Sequence, residues 1–249
     1  MRNIAVILAG GSGTRMGLDR PKQFLKLADK TILEHSVDAF HQNALIEAII
    51  IVSNPGFVAE VEAIVDSHRQ TLGWDKVLAV VPGGKERSDS SVNALRHVQQ
   101  HMLHDAPLSD EEMMADVNLI FHDAVRPLVG QRIITDVCEA LLTHAAVNVT
   151  LPVVDTIIQA THGVMLATVD RSTLQRVQTP QGFRLDTIAE AYRLALADPD
   201  FRATDDCGVV LRYLPDTPIA LVRGSERNLK LTFRDNIPLF EFLLKQGTL

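Results

Sequence analysis

Five consecutive apolar residues, Ile4-Ala5-Val6-Ile7-Leu8, run straight into Ala9-Gly10-Gly11-Ser12-Gly13-Thr14-Arg15-Met16. The length and branching of that run suit a strand buried on both faces, the kind found in parallel sheets covered by helices. Three glycines in four positions then let the backbone turn tightly and bare its amide N–H groups. Arg15 and, after Pro21, Lys22 add two positive charges beside the turn. Bare amides with a guanidinium and an ammonium make a site for a polyphosphate. The common phosphate loops do not fit. A Walker A loop ends in Gly-Lys-Ser/Thr, a tripeptide absent from this chain. The dinucleotide fingerprint counted from Gly11 and Gly13 needs a third glycine where Met16 stands, and Gly17 comes one residue late.

Beyond the loop, apolar runs alternate with amphipathic stretches. Strands are expected at Ile4–Leu8, Ala48–Val52, Val77–Val81, Val117–Phe121, Val147–Leu151 and Ile219–Val222. Helical spacing marks Ile32–Asn43, Phe57–Leu72, Ser91–Leu103, Ile133–His144 and Asp186–Leu196. In the third of these helices Val92, Leu95, Val98 and Met102 recur at steps of three and four and mark a core face. This pattern predicts an α/β fold, a Rossmann-like doubly wound and mostly parallel sheet with helices on both faces. Asp105–Asp116 reads as a solvated acidic loop. Val153–Gln159 and Val164–Val169, split by Thr161-His162-Gly163, read instead as a β-hairpin. With no repeat and no low-complexity linker, residues 1–249 are expected to form a single domain, with the hairpin as an arm at about 152–176.

A chain of 249 residues can bury a core without disulfide or metal staples. The formal charge of −7 argues against broad nucleic-acid binding, so positive sites must be built locally. Cys138 and Cys207 read as reduced, buried thiols. No apolar run approaches membrane-span length, and the first strand begins within three residues of the N-terminus. These features predict a cytoplasmic protein without signal peptide or membrane anchor.

Six further segments follow the glycine loop and Pro21-Lys22-Gln23 in order. They are Gly83-Gly84-Lys85-Glu86-Arg87-Ser88-Asp89-Ser90, His122-Asp123-Ala124-Val125-Arg126-Pro127, Val169-Asp170-Arg171, Gln178-Thr179-Pro180-Gln181, Thr204-Asp205-Asp206 and Asn228-Leu229-Lys230-Leu231-Thr232. Together they resemble the cytidylyltransferases that act on 2-C-methyl-D-erythritol 4-phosphate or on D-ribitol 5-phosphate. The resemblance runs from about the first strand to the last helix. It implies transfer of CMP from CTP to a phosphorylated polyol, with Mg²⁺ as cofactor, pyrophosphate as product and a homodimer built through the arm. In such a reaction the attacking phosphate oxygen is already an anion. The task is then to overcome repulsion between anions and spread the charge of the transition state.

By this resemblance Arg15, Lys22 and Lys230 are the catalytic cations. Arg grips phosphate oxygens bidentately, and Lys acts as a point charge. Leu8, Ala9, Gly10, Gly11, Gly13, Gly83, Gly84, Ser90 and Asp123 are expected at CTP. Asp123 ends a central strand, where ligands of open α/β sheets gather, and is the candidate for orienting Mg²⁺ or the ribose. Arg126, Thr156 and Arg171 are expected at the polyol phosphate, the last two serving the partner subunit from the arm. Lys230 alternates with apolar neighbours, as in a short strand or strand end. Thr204-Asp205-Asp206 reads as a helix N-cap with acids on the first turn and is assigned a structural role, although its family counterpart borders the polyol site.

Val169-Asp170-Arg171-Ser172 favours methylerythritol phosphate as acceptor. Ile157-Ile158, where many of those enzymes carry a lysine, and Asp206–Leu211 leave ribitol 5-phosphate as the alternative. A non-catalytic nucleotide-binding protein is the alternative of another class, and it would be expected to lack one of the cations. A glycosyltransferase would carry Asp-x-Asp where His122-Asp123-Ala124-Val125 stands. His97, His101 and His104 share one helical face, but zinc needs further ligands and a supporting shell.

Overall fold

The computed structural model describes residues 1–11, 20–71, 73–101 and 116–247. Gly13, Arg15, Met102, His104 and nearly all of the acidic stretch 105–116 lie outside the described residues. Eleven strands are present among the described residues: β1 (Arg2–Ala9), β2 (Lys26–Leu27), β3 (Lys30–Thr31), β4 (Ala48–Ser53), β5 (Val77–Pro82), β6 (Val117–Asp123), β7 (Ala146–Pro152), β8 (Ile157–Thr161), β9 (Val164–Val169), β10 (Gln175–Arg184) and β11 (Ile219–Arg223). The described helices are α1 (Ile32–His41), α2 (Val58–Thr71), α3 (Arg87–His101), α4 (Gln131–Ala140), α5 (Leu185–Ala197), α6 (Asp206–Tyr213) and α7 (Ile237–Lys245).

Seven strands form one sheet in the order β11-β7-β10-β6-β1-β4-β5. All of its pairs are parallel except those of β10, which runs antiparallel to both β6 and β7. The expected doubly wound sheet is therefore present. Side chains of β1 alternate between its two faces, as the two-residue period of a strand demands. Ile4, Val6 and Leu8 join Val92, Leu95 and Val98 of α3 with Ile188 and Tyr192 of α5. Ala5, Ile7 and Ala9 join Val37 and Phe40 of α1, Val61 and Val65 of α2 and Ile134 and Val137 of α4. Each large apolar side chain buried in this way contributes about 1.5–3 kcal/mol. Local chemistry sets the element ends. Thr31 Oγ1 accepts from Glu34 N–H at 3.2 Å while Glu34 Oε2 accepts from Thr31 N–H at 2.6 Å, a capping box that starts α1.

Strand β10 was not expected. Its sequence, QRVQTPQGFR, lacks an apolar run and has proline inside it. Buried side-chain hydrogen bonds take the place of apolar packing there. Gln181 Nε2 donates to Asn148 Oδ1 at 3.0 Å and to Asp205 Oδ2 at 2.8 Å, and the pairing with β7 shifts register between Gln178 and Gln181.

The hairpin also forms, as a separate two-stranded sheet of β8 and β9. His162 (φ 47°) and Gly163 (φ 78°) make its turn, both left-handed as a two-residue hairpin connection requires. It starts later than its sequence suggests, at Ile157 rather than Val153. Val164, Met165 and Leu166 on β9 are 62%, 55% and 61% exposed. Cys138 and Cys207 are unpaired and buried; burial pushes the Cys138 thiol up to about 12. His97 and His101 lie with ring centroids 4.8 Å apart.

Candidate active site

At the carboxyl ends of β1, β4, β5 and β6 the backbone opens into a cavity of about 540 Å³. This is where open α/β sheets take ligands, beside the point at which strand order reverses about β1. One wall is backbone. Leu8 and Ala9 end β1 and Gly10 and Gly11 continue it, while Gly84 and Lys85 follow β5. The two loops meet at Ser90, on the first turn of α3. Ser90 Oγ accepts from Gly84 N–H at 3.2 Å and donates to Glu86 O at 3.3 Å. A Cβ at Gly10 would lie 3.2 Å from that oxygen, and one at Gly83 only 2.9 Å. Glycine at both positions thus leaves room for the Ser90 hydroxyl between the two loops. Gly83 supports this wall from behind, its N–H donating to Ser53 O at 2.7 Å.

The opposite wall carries charge. Lys22 and Gln23 stand on a single 3₁₀ turn, both buried. Lys22 Nζ donates to Leu231 O at 2.8 Å and Gln23 Nε2 to Ala9 O at 2.6 Å, so the turn is tied to both sides of the cavity. Lys230 is not in a strand, contrary to its sequence pattern. Its segment is held instead by Leu231, whose N–H donates to Val125 O at 2.8 Å and whose side chain packs with Leu27, Ile32 and Phe240. Burying Leu231 presents Lys230 to the cavity.

Asp123 lies at the centre of the charges. Lys230 Nζ is 2.8 Å from its Oδ2, Arg87 Nε is 3.4 Å from its Oδ1, and Arg126 Nε is 3.9 Å from Oδ2. Burial works against the charge on Asp123, but Arg87, Lys230 and Arg126 outweigh it and hold the carboxyl well below the usual range. Behind it runs a relay with one consistent direction. Asp123 N–H donates to Thr179 Oγ1 at 3.1 Å, and Thr179 in turn meets His122 Nδ1 at 3.1 Å. His122 Nε2 then reaches Arg126 O at 3.1 Å. Since that carbonyl can only accept, Nε2 carries the proton; burial disfavours the charged ring, so the imidazole is neutral and Nδ1 accepts.

The sequence-expected residues divide accordingly. Leu8, Ala9, Gly10, Gly11, Lys22, Gly84, Ser90, Asp123 and Lys230 line the cavity together. Arg126 is buried beside it and donates Nη1–H to Asn228 O at 2.8 Å, so its guanidinium is turned to the protein. Thr156 and Arg171 are exposed on the arm and do not line the cavity of their own chain. Arg171 Nη1 donates to Val154 O at 2.6 Å. Asp205 is the N-cap of α6, as expected, accepting from Gly208 N–H at 2.8 Å.

Sequence reading missed Arg87, Lys85, Gln23 and Asn54 at the cavity, and Asp206 behind it. Arg87 stands among Lys85, Glu86, Ser88 and Asp89, which look like a solvated helix start. No periodicity marks it. For Mg²⁺ the fit is narrow. Among the described residues no three His, Cys, Asp or Glu side chains cluster to hold a metal. Asp123 offers one carboxylate facing the cavity, which suits an ion carried in on substrate phosphates rather than one caged by protein.

Glycine backbone beside a cavity in which Lys230 and Arg87 hold the Asp123 carboxylate suits an α/β protein of the nucleotidyltransferase class. The model of the IspD family, 2-C-methyl-D-erythritol 4-phosphate cytidylyltransferase, matches residues 3–246. The chain belongs to that family. It is 44% identical to 2-C-methyl-D-erythritol 4-phosphate cytidylyltransferase of Thermobifida fusca, over 99% of this chain and 94% of the relative. It is also 40% identical to the bifunctional ribulose 5-phosphate reductase/CDP-ribitol pyrophosphorylase Bcs1 of Haemophilus influenzae, over 93% of this chain and 46% of that protein. The crystal structure of 4-diphosphocytidyl-2C-methyl-D-erythritol synthase from Anaerococcus prevotii shares the fold. Its TM-score is 0.78 at 23% identity, covering 98% of this chain and 96% of that one. No described helix is long and apolar enough to cross a membrane.

Proposed function

We propose that the protein transfers CMP from CTP to 2-C-methyl-D-erythritol 4-phosphate, releasing pyrophosphate. The observation that carries this reading is the placing of Lys22 and Lys230 around one cavity whose other wall is the bare backbone of Gly10 and Gly11. The triphosphate lies along the amides, and the cytosine edge is read by backbone near Gly83, Gly84 and Ser90. Small surroundings there leave room for a pyrimidine and not a purine.

The acceptor's phosphate oxygen attacks the α-phosphorus in line, and no general base is needed because the attacker is an anion. Lys22 and Arg15 stabilise the charge that grows on the triphosphate. Lys230 bridges the two substrates, turning from Asp123 Oδ2 to phosphate oxygen. Asp123 is the residue that would hold Mg²⁺, which supplies further charge neutralisation between phosphates when bound. Arg126 supports the acceptor side. Thr156 and Arg171 serve the acceptor site of a partner subunit, with two arms covering each other's exposed Val164, Met165 and Leu166 in a homodimer. We place the work in the cytoplasm, where CTP is made.

Ribitol 5-phosphate is the second reading for the acceptor, favoured by the 40% identity to the Haemophilus influenzae protein. The test is pyrophosphate release on mixing protein, CTP, Mg²⁺ and each polyol phosphate. Release that needs both substrates supports transfer. Release without acceptor, or none with either acceptor, overturns it.

A further inference from the structure

From a buried carboxylate behind the cavity, a chain of side chains runs through Arg87 to Asp123. Asp206, on the first turn of α6, is fully buried. Its Oδ1 accepts from Tyr192 O–H at 2.6 Å and its Oδ2 from Arg87 Nη1–H at 2.7 Å. Arg87 then turns Nε toward Asp123 Oδ1 at 3.4 Å, while Lys230 occupies Asp123 Oδ2. Asp206 does not line the cavity. Nor does α6 need it as a cap, since Asp205 already fills that place. A buried carboxylate is costly to desolvate, and an ion pair of this kind is weak evidence for stability.

We infer that Asp206 and Tyr192 are positioning residues: they clamp Arg87 so that it holds Asp123 by one oxygen and leaves Lys230 to be shared with an incoming phosphate. The inference deepens the cytidylyl-transfer reading and rests on it. Three observations support the clamp. The closer Arg87 contact, 2.7 Å against 3.4 Å, is the one facing away from the cavity. Separate N–H groups of one planar guanidinium engage the two carboxylates, which a lysine's single ammonium cannot do from the same place. Asp206 is itself fixed, its backbone N–H donating to Gln181 Oε1 at 3.1 Å. Without Asp206, Arg87 closes on Asp123 or swings toward the phosphates. Either move shifts the cations around the reacting phosphorus.

The test compares Asp206→Asn, Arg87→Lys, the double variant and Tyr192→Phe. Asp206→Asn and Arg87→Lys are each expected to lower kcat about 10–100-fold, the cost of misplacing groups by about 1 Å. CTP affinity, read by calorimetry without acceptor, should move less than about 3-fold, because both side chains act on the transition state more than on ground-state binding. The double variant should be no slower than the slower single one, since the two changes break one unit. Tyr192→Phe keeps the shape of the core and should lower kcat in the same direction by less, so misfolding of Asp206→Asn leaves the clamp testable. Full kcat in Asp206→Asn, losses that multiply in the double variant, or CTP affinity falling as much as kcat would each overturn the clamp. If the wild-type protein transfers CMP to neither polyol phosphate, the functional reading fails on its own. A crystal structure of Asp206→Asn then decides the clamp: displaced Arg87 supports it, and unmoved Arg87 and Asp123 refute it.

Discussion

Lys230 Nζ sits 2.8 Å from Asp123 Oδ2, although 107 residues separate the two in the chain. The pair spans the junction between the end of β6 and the segment pinned by Leu231, so it assembles only when the sheet and the C-terminal helix are both in place. In the functional reading, an incoming phosphate competes with Asp123 for this ammonium. Lys230→Ala should therefore cut kcat by about 10²–10³-fold, the usual cost of losing one preorganised electrostatic donor. Lys22→Ala should do the same while changing CTP affinity much less. Steady-state rates of pyrophosphate release, set against CTP binding by calorimetry, check both. A Lys22→Ala protein that keeps most of its kcat contradicts the assignment.

The glycine wall gives a paired test. A Cβ at Gly11 meets none of the described residues within 4 Å, so Gly11→Ala should fold with little change in Tm. Any rise in KM for CTP in that variant then reports close approach of the nucleotide to the backbone. At Gly84 a Cβ would lie 2.0 Å from Asp89 Cβ, so Gly84→Ala must displace the loop or the start of α3. We expect it to lower Tm and to raise the KM for CTP by about 10-fold or more, through loss of binding contacts rather than chemistry. Wild-type KM in both variants would remove the nucleotide from this wall.

On the arm, Leu166→Asp puts a charge among Val164, Met165 and their neighbours. Sedimentation is expected to show a dimer for the unmodified protein and a monomer for the variant, with the fold of the main sheet intact by circular dichroism. Arg171→Ala should raise KM for the polyol phosphate and spare that for CTP. Mixed Lys22→Ala and Arg171→Ala chains should recover activity, because one heterodimer site is whole. No recovery despite proven subunit exchange would return Arg171 to its own chain.

His122 predicts a pH response of stability. Burial pushes its imidazole down to about 4, more than Asp123 pulls it up. The unfolded chain therefore binds a proton that the folded chain refuses across the interval from about 6.5 to about 4. This contribution is fully present above pH about 6.5 and is lost as pH falls to about 4, on the order of 3 kcal/mol in all. Tm measured against pH should drop through that window, and more shallowly in His122→Gln. Equal slopes in the two proteins would show that His122 is not the group responsible.

Strands β1, β4, β6 and β7 are legible in the sequence because each is rich in branched apolar residues and buried on both faces. Strand β10 is not, because what stabilises it is hydrogen bonding from Gln178, Thr179 and Gln181 to residues far away in the chain. No local pattern encodes such partners. The same holds at the site. The amides of Gly10 and Gly11 follow from a glycine run after a strand, whereas Arg87 needs two carboxylates, 36 and 119 residues on, to become visible. The hairpin is plain from its alternation and turn, but nothing in its own sequence says what covers it.

The most direct measurement offers the protein equimolar 2-C-methyl-D-erythritol 4-phosphate and D-ribitol 5-phosphate with limiting CTP and resolves the two CDP-polyols by mass spectrometry. The product ratio then equals the ratio of kcat/KM values. CDP-methylerythritol is expected in clear excess, with one pyrophosphate released per product. CDP-ribitol in excess, or pyrophosphate without either CDP-polyol, would contradict it.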